Sequence, residues 1–393
     1  MKLSLSTNTV LIANLAFLST ASAATTYAYA VIGDWPYSLT LLKDSQTLVN
    51  SINSDVDVKT LVHVGDIHSG SMPCTGAGLT YSNNAGGGNG LVTGNGTVFS
   101  GVIKTDPHFN IHVYSAFQKF KAPVVYTPGD NEWGDCHKTK QFSSGAPLAE
   151  LASVRELFFA KPGWTLGGAK MVTSQGIAYN KLYPDDAKFV ENVIWADKVP
   201  DKVLFATFNM PGGSNNDADS WTAPFTDNDA QLKERNARTN ANLRWLDRAF
   251  NVAVSIQAKA VVIFLQADMW DTEKYEPATY SSTLSNYQSF VQKLAQRSLA
   301  FNKPVLLING DSHIYKVDRP LVTTTVPYVK GCNSNTTTTG PGCNLAGIHN
   351  TPQVPKLTRI TVEGSGVNQY WLKLTIDTSL AEENIFSWVN VPY

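Results

Sequence analysis

Four apolar segments of this chain end in the same dipeptide, Gly-Asp, and this repetition constrains the fold more than any other feature. A single Gly-Asp pair is ordinary turn sequence, because both residues favour loops. Four pairs at the ends of apolar segments instead predict that carboxylates meet at one place. The four pairs are Gly33-Asp34, Gly65-Asp66, Gly129-Asp130 and Gly310-Asp311, and a fifth pair, Gly134-Asp135, does not follow such a segment.

The apolar segments themselves predict buried strands, because they are short and rich in Val, Ile, Leu, Phe and Tyr. Between the later ones lies a predicted helix, 228–250, which Asp227 or Asp229 can cap and whose Leu243, Leu246 and Phe250 share one face. Strands that alternate with helices favour an α/β architecture. The predicted strands are 27–32, 60–64, 123–127, 203–208, 260–265 and 304–308.

The carboxyl ends of parallel strands predict where these aspartates lie. In open α/β sheets the ligand crevice is found at those ends, and neighbouring strands are about 4.8 Å apart. Glycine allows the turn that directs the next residue into the crevice. Carboxylates that converge there repel one another unless cations neutralise them. Oxygen-rich clusters suit Mg, Mn, Ca or iron, and two such ions can clamp a phosphate and activate water. His313, two residues after Asp311, strengthens the prediction of a metal site.

The N-terminus has the pattern of a secretory signal peptide over residues 1–23. Lys2 is followed by an apolar run from Val10 to Leu18 and by the small-residue cleavage site at 21–23. The alternative is a membrane anchor, but the run is shorter than the ~20 residues that span a bilayer. We therefore expect a secreted or periplasmic protein with no integral membrane span. Residues 24–393 form one predicted domain, with long Gly-, Ser-, Asn- and Thr-rich loops at 69–101 and 329–352.

The four cysteines fit export, because an even number in an exported chain suggests disulfides. Three connectivities are possible; the pairing of Cys332 with Cys343 would close one loop and leave Cys74 to join Cys136. Asn95 and Asn335 lie in glycosylation tripeptides. The formal net charge of −1 gives no support to a nucleic-acid partner.

Taken in order, the Gly-Asp blocks between residues 33 and 313 resemble the calcineurin-like metallophosphoesterase family. The family pattern is Asp-x-His, Gly-Asp-x-x-Asp/Asn/Tyr, Gly-Asn-His-Asp/Glu, a strand ending in His, and Gly-His-x-His. The block from Pro128 to Trp133 is similar to that of a secreted or periplasmic branch. The resemblance implies a layered αββα sandwich and a dinuclear centre of Mn, Fe, Zn, Mg or Ca. It also implies a hydrolase that acts on phosphomonoesters or phosphodiesters, whether small molecules, nucleotides or lipids.

The resemblance also implies roles for individual residues. Asp66 would bridge two metals, and Asp34 and His313 would complete the first site. Asp130 and Asp311, with Asp268, would complete the second. Asn131 stands where the family has its catalytic His and could hydrogen-bond the phosphate, so that a leaving-group acid would have to come from elsewhere, with His68 and His137 on the adjacent loops.

Several positions depart from the family pattern. Pro36 replaces the first-block His, Asp130 replaces an Asn, and Asp311 replaces the first His of the last block. Ala267 or Asp268 falls where the fourth His is expected. These departures leave a second hypothesis open, in which a calcineurin-like fold with a degenerate metal site acts as a binding or surface protein without catalysis.

Overall fold

The structure is a computed structural model in which two large β-sheets carry helices. It describes residues 26–75, 90–92, 98–100, 109–179, 181–197, 202–216, 220–223, 225–271, 284–322, 348–365 and 369–393. The predicted signal peptide, the cysteine pair at 332 and 343, the two glycosylation tripeptides and most of both long loops lie outside these residues. Part of the first loop forms a small antiparallel pair of strands.

The strands are β1 Tyr27–Ile32, β2 Val58–His63, β3 Gly90–Val92, β4 Val98–Ser100, β5 Pro123–Tyr126, β6 Leu166–Gly167, β7 Thr173–Ser174, β8 Val193–Ala196, β9 Val203–Thr207, β10 Ala260–Phe264, β11 Val305–Asn309, β12 Lys316–Asp318, β13 Leu357–Thr361, β14 Tyr370–Ile376 and β15 Phe386–Pro392. The helices are α1 Leu39–Lys43, α2 Ser45–Ser54, α3 Phe109–Phe117, α4 Pro147–Phe158, α5 Gln175–Ala178, α6 Asn228–Ser255 and α7 Gln288–Phe301. A short turn covers Gly212–Asn216, and residues 213–216 of it have a left-handed backbone.

Both sheets are mixed, and each has a parallel centre. The first sheet has the order β15-β14-β1-β2-β5-β6, in which β1, β2 and β5 are parallel. The second has the order β12-β13-β11-β10-β9-β8-β7, in which β9, β10, β11 and β13 are parallel. The predicted α/β class is therefore confirmed, and the strands that precede the Gly-Asp pairs lie at the parallel centres.

Three clusters of buried apolar residues hold the sheets and the helices together in layers. Alternate residues of the two sheets, such as Val62 and Val262, pack against each other in one cluster. The other face of the second sheet packs against α6 and α7, as Leu246 and Phe290 illustrate. The other face of the first sheet packs against α2, α3 and α4. Two-residue alternation within each strand thus places the sheets face to face with helices outside.

All six predicted strands are present, with bounds that differ by no more than two residues. Helix α6 begins at the predicted Asn228, and Asp227 caps it by accepting a hydrogen bond from Ala230 N. The helix runs five residues beyond the predicted end. The sequence analysis missed β14 and β15, which extend the edge of the first sheet through antiparallel pairing.

The disulfide between Cys74 and Cys136 is present, with Cα atoms 5.8 Å apart. It joins the loop after β2 to the loop after β5, and both of these loops carry candidate site residues. This pairing confirms one of the predicted bonds and fits an exported protein. Among the helices that the structure describes, none combines the length and the apolar character needed to cross a membrane.

We predict that the Cys74→Ala/Cys136→Ala variant unfolds more easily than the wild type. The bond spans 62 residues, for which chain entropy gives a loss of about 4 kcal/mol in the free energy of unfolding. Urea denaturation of the two proteins measures the difference. Reduced wild-type protein should be no more stable than the variant, and a loss below about 1 kcal/mol in the variant would contradict the prediction.

Candidate functional site

The loops after β1, β2, β5 and β11 bring the predicted aspartates to one end of the two sheets. Asp34 accepts a hydrogen bond from Asp311 N at 3.2 Å, so the two sheets meet here. Two glycines make this approach possible. A Cβ atom at Gly310 would lie 2.5 Å from Asp34 Oδ2, and one at Gly129 would lie 2.0 Å from Asp66 Oδ1. The space of a missing side chain is thus filled by a neighbour's carboxylate.

Four of the predicted ligands have a left-handed backbone. The φ angle is 49° at Asp34, 57° at Asp66, 72° at Asp311 and 61° at His313. This conformation costs roughly 1–2 kcal/mol per residue that is not glycine. Strained residues of this kind cluster at functional sites, where the surrounding structure holds them in place. Their concentration at the ends of three strands favours a functional role for this end of the molecule.

Asp34, Asp66 and His313 form a group that could hold a metal ion. One ligand atom from each lies within 4.8 Å of the others, and His313 Nε2 is 3.2 Å from Asp34 Oδ1. Asp34 is fully buried and Asp66 almost so, while the His313 side chain is 34% exposed. Two buried carboxylates and an imidazole that reaches solvent are a suitable donor set for Mn, Fe, Zn or Mg.

The electrostatics of this group also favour a cation. The pKa of Asp66 is raised, first by burial and then by the nearby carboxylates of Asp130 and Glu132. Burial lowers the pKa of His313, but the hydrogen bond and charge of Asp34, together with the charges of Asp311 and Asp130, outweigh it and raise the value. Burial and neighbouring negative charge thus raise the pKa of Asp66, and negative charge raises that of His313. A bound cation would relieve this repulsion.

Two neutral side chains, those of Tyr37 and Asn131, form hydrogen bonds with this group. The Tyr37 hydroxyl lies 3.2 Å from Asp66 Oδ2 and 3.0 Å from His313 Nε2. Asn131 Nδ2 donates to Tyr37 at 2.7 Å and to Asp66 Oδ2 at 2.9 Å. The predicted Asn131 is therefore in the site. The sequence analysis did not assign Tyr37, although its position three residues after Asp34 places it on the same loop.

Gln266 is a second residue that the sequence analysis missed. It follows β10, and its Nε2 lies 3.2 Å from both Asp66 Oδ2 and Asp130 Oδ1. Its Oε1 accepts a hydrogen bond from Gly212 N. Thus Gln266 connects the two carboxylates at the end of β10, where Ala267 or Asp268 was expected to contribute.

Asp268 lies beside the site, but its carboxylate contacts cations of the protein. It forms an ion pair with Arg359 and another with Lys316 at 2.5 Å. Burial raises the pKa of Asp268, yet the charges of Arg359 and Lys316 outweigh it and lower the value. Asp268 N donates to Asp311 Oδ2 at 3.0 Å. Asp268 therefore positions Asp311 through its backbone.

The two predicted leaving-group acids, His68 and His137, are buried away from the open cleft. His68 packs edge-on against Phe109, and its Nδ1 lies 3.2 Å from Ser69 O. His137 is 2% exposed, and its Nδ1 lies 3.2 Å from Thr222 Oγ1. Neither is among the described residues that line the cleft. This placement does not bring the two imidazoles together with the carboxylate group.

The site opens into a cleft of about 780 Å³. Asp66, Asp130, Asn131, Asp311 and His313 reach it, whereas Asp34 lies behind them. Two lysines also line it, and both form ion pairs with Asp135, the aspartate of the fifth Gly-Asp pair. The distances are 2.8 Å from Lys138 Nζ and 3.5 Å from Lys140 Nζ to the Asp135 carboxylate. The cleft thus contains two lysines as well as its carboxylates.

His63 connects the loop after β1 to the loop after β2 through two hydrogen bonds. Its Nε2 lies 2.6 Å from Trp35 O, and its Nδ1 accepts from Gly65 N at 3.2 Å. The ring is fully buried, and burial lowers its pKa to about 4. A neutral imidazole that donates at one nitrogen and accepts at the other satisfies both contacts. His63 therefore supports the backbone that carries Asp34 and Asp66.

Comparisons with known proteins leave the family open. No protein-family model matches the sequence, and no curated protein matches it. Among solved structures, "GAP50 the anchor in the inner membrane complex of Plasmodium" is similar over 93% of this chain and 84% of that chain. The sequence identity is 12% and the TM-score is 0.40. A similarity at this level decides neither fold nor function.

We predict that His63 makes the fold sensitive to acid. In the folded protein the His63 imidazole becomes protonated only near pH 4, whereas in the unfolded chain it becomes protonated near pH 6.5. The unfolded state is therefore favoured as the pH falls through this window, by about 2 kcal/mol between pH 7 and pH 5. The His63→Gln variant should lose that much less stability over this interval, measured by urea denaturation in chelator. Identical pH dependence of the two proteins would contradict the prediction.

Proposed function

We propose that this protein is an exported, metal-dependent hydrolase of phosphoric esters with the layered αββα sandwich of calcineurin-like phosphoesterases. The observation that carries the proposal is the meeting of Asp34, Asp66 and His313 at the ends of strands from both sheets. The face-to-face sheets with outer helices support the fold part of it. The Cys74–Cys136 disulfide supports export. The exported chain would be the single domain 24–393 that remains after removal of the signal peptide.

Asp34, Asp66 and His313 are the residues that would hold the cation. A bound metal ion supplies Lewis acidity and lowers the pKa of a coordinated water towards neutrality. The protein's own contribution is positioning, since the left-handed loops and the support from His63 fix the three side chains. Burial of Asp34 and Asp66 excludes bulk water, which strengthens electrostatic interactions within the site.

Other residues of the cleft would bind and orient the ester. Lys138 and Lys140 line the cleft, and together they carry one more charge than the Asp135 carboxylate that they share, which favours an anionic phosphate. Gly70 leaves room between two polar groups, since a Cβ there would lie 2.7 Å from Asn131 Oδ1 and 2.9 Å from Lys140 Nζ. Asn131 would donate a hydrogen bond to the phosphate or to the leaving oxygen by giving up one of its Nδ2 contacts with Tyr37, Asp66 and His68 O. Asp130 and Asp311 border this space.

The cleft volume suits a small ester rather than a macromolecule. About 780 Å³ is within the range of pockets that enclose a small organic ligand. A nucleotide, a sugar phosphate or a lipid headgroup would fit such a space. The substrates proposed are therefore small phosphomonoesters or phosphodiesters.

A binding protein with the same fold is the second candidate. Asn131 cannot transfer a proton as an imidazole does, and both His68 and His137 lie outside the lining of the cleft. In this alternative the cleft would bind a phosphate ester or a cation without turnover. Hydrolysis assays separate the two candidates directly.

We predict that Asp66→Asn abolishes hydrolysis. The substitution removes one of the two carboxylates that would hold the cation, so activity should fall by more than about 100-fold. The measurement is hydrolysis of p-nitrophenyl phosphate and bis(p-nitrophenyl) phosphate by the signal-cleaved protein, with Mn²⁺ and with chelator.

The control is Asp247→Asn, which removes a carboxylate paired with Lys293 and Arg297. It should retain full, metal-dependent activity. Activity that survives Asp66→Asn would contradict the proposed site, and no metal-dependent turnover by the wild type would favour the binding protein.

A further inference from the structure

The sequence led us to expect two metal ions, and the second would have to lie among Asp66, Asp130 and Asp311. We infer that this centre instead holds a single tightly bound cation at Asp34, Asp66 and His313, and that the amide of Gln266 takes the place of the second. The inference rests on the proposed function, because it concerns the same site. It gives Gln266, a residue with no charge, a specific role.

The inference depends on the orientation of the Gln266 amide. Gly212 N–H is a backbone donor, so the Gln266 oxygen must face it, and the contact is present. The amide nitrogen then faces the other way, 3.2 Å from Asp66 Oδ2 and 3.2 Å from Asp130 Oδ1. An amide N–H₂ group has no lone pair to offer a metal, and its hydrogens repel a cation. The place between these two carboxylates therefore contains hydrogen-bond donors.

A rigid turn keeps Gly212 in position. Residues 213–216 continue from it in left-handed conformation, with φ between 56° and 63°. The fully buried Arg238 donates to the side chain and the backbone oxygen of Asn215. The Tyr287 hydroxyl accepts from Asn215 N at 2.8 Å and donates to Pro211 O at 3.0 Å. Rotation of the Gln266 amide would leave a buried Gly212 N–H without its acceptor.

The remaining carboxylates of this half also accept hydrogen bonds from the protein. Asp311 Oδ2 accepts from Asp268 N at 3.0 Å, while Arg359 and Lys316 hold the Asp268 side chain. Asp66, which the two halves share, accepts hydrogen bonds from the backbone N and from the Nδ2 of Asn131. Of the described residues, only Asp34, Asp66 and His313 satisfy the distances of a three-ligand metal group. The Gln266 N–H₂ group therefore lies between Asp66 and Asp130, whereas His313 completes a three-ligand group with Asp34 and Asp66.

The test is metal stoichiometry. Chelator-treated protein is titrated with Mn²⁺ by isothermal calorimetry, and elemental analysis after gel filtration counts the retained ions. The wild type should bind one Mn²⁺ per chain. Asp34→Asn should bind none, and Asp130→Asn should still bind one. Two ions in the wild type, none in the wild type, or loss of the ion from Asp130→Asn would each overturn the inference.

A second variant tests the role of Gln266. Gln266→Glu replaces the amide nitrogen with an oxygen that faces Asp66 and Asp130, and it should add a second binding event. The matched control, Gln292→Glu, adds the same charge at an exposed position of α7 and should remain at one ion. A Gln266→Glu protein that is folded by circular dichroism and still binds one ion would overturn the role given to Gln266.

The outcomes also separate this inference from the proposed function. Two bound ions with metal-dependent hydrolysis would support the proposed hydrolase and contradict the single-cation centre. One bound ion without hydrolysis would support the single-cation centre and contradict the proposed hydrolase. No bound ion would contradict both.

Discussion

Repulsion among buried carboxylates is the constraint on which this end of the molecule depends. Asp34 and Asp66 lie out of water, and Asp130 and Asp311 stand beside them. Carboxylates this close raise one another's pKa unless a cation or hydrogen-bond donors compensate. N–H donors of Gln266, Asp268 and Asp311 compensate part of this charge, and Asp34, Asp66 and His313 form a group that could hold a metal ion.

The rest of the fold serves to hold these groups together against their repulsion. Parallel strands of two stacked sheets end at the same place, and glycines at 129 and 310 allow contacts that any side chain would block. Left-handed residues direct the ligands inward at a cost in backbone energy. The packing of the sheets against each other and against the outer helices, together with a disulfide, offsets the free-energy cost of this strain. Local strain is thus supported by packing far from the site.

The sequence predicted the parts of the site that local pattern encodes. Apolar runs followed by Gly-Asp placed Asp34 and Asp66 at strand ends, and the distance between His313 and Asp34 agrees with that prediction. The role of Asp268 was not visible, because its partner Arg359 lies 91 residues away in the chain. Gln266 was overlooked because a neutral amide carries no signal of ligation. The burial of His68 was not visible either, because its ring packs against Phe109, which is distant in the sequence.

The most direct test of this account is anomalous diffraction from crystals of the protein grown with Mn²⁺. The account predicts one strong peak within coordination distance of Asp34, Asp66 and His313, with the amide of Gln266 facing Asp66 and Asp130 as it does here. A peak between Asp130 and Asp311 alone, or no peak at all near these residues, would contradict the claim that the converging strand ends form a cation site.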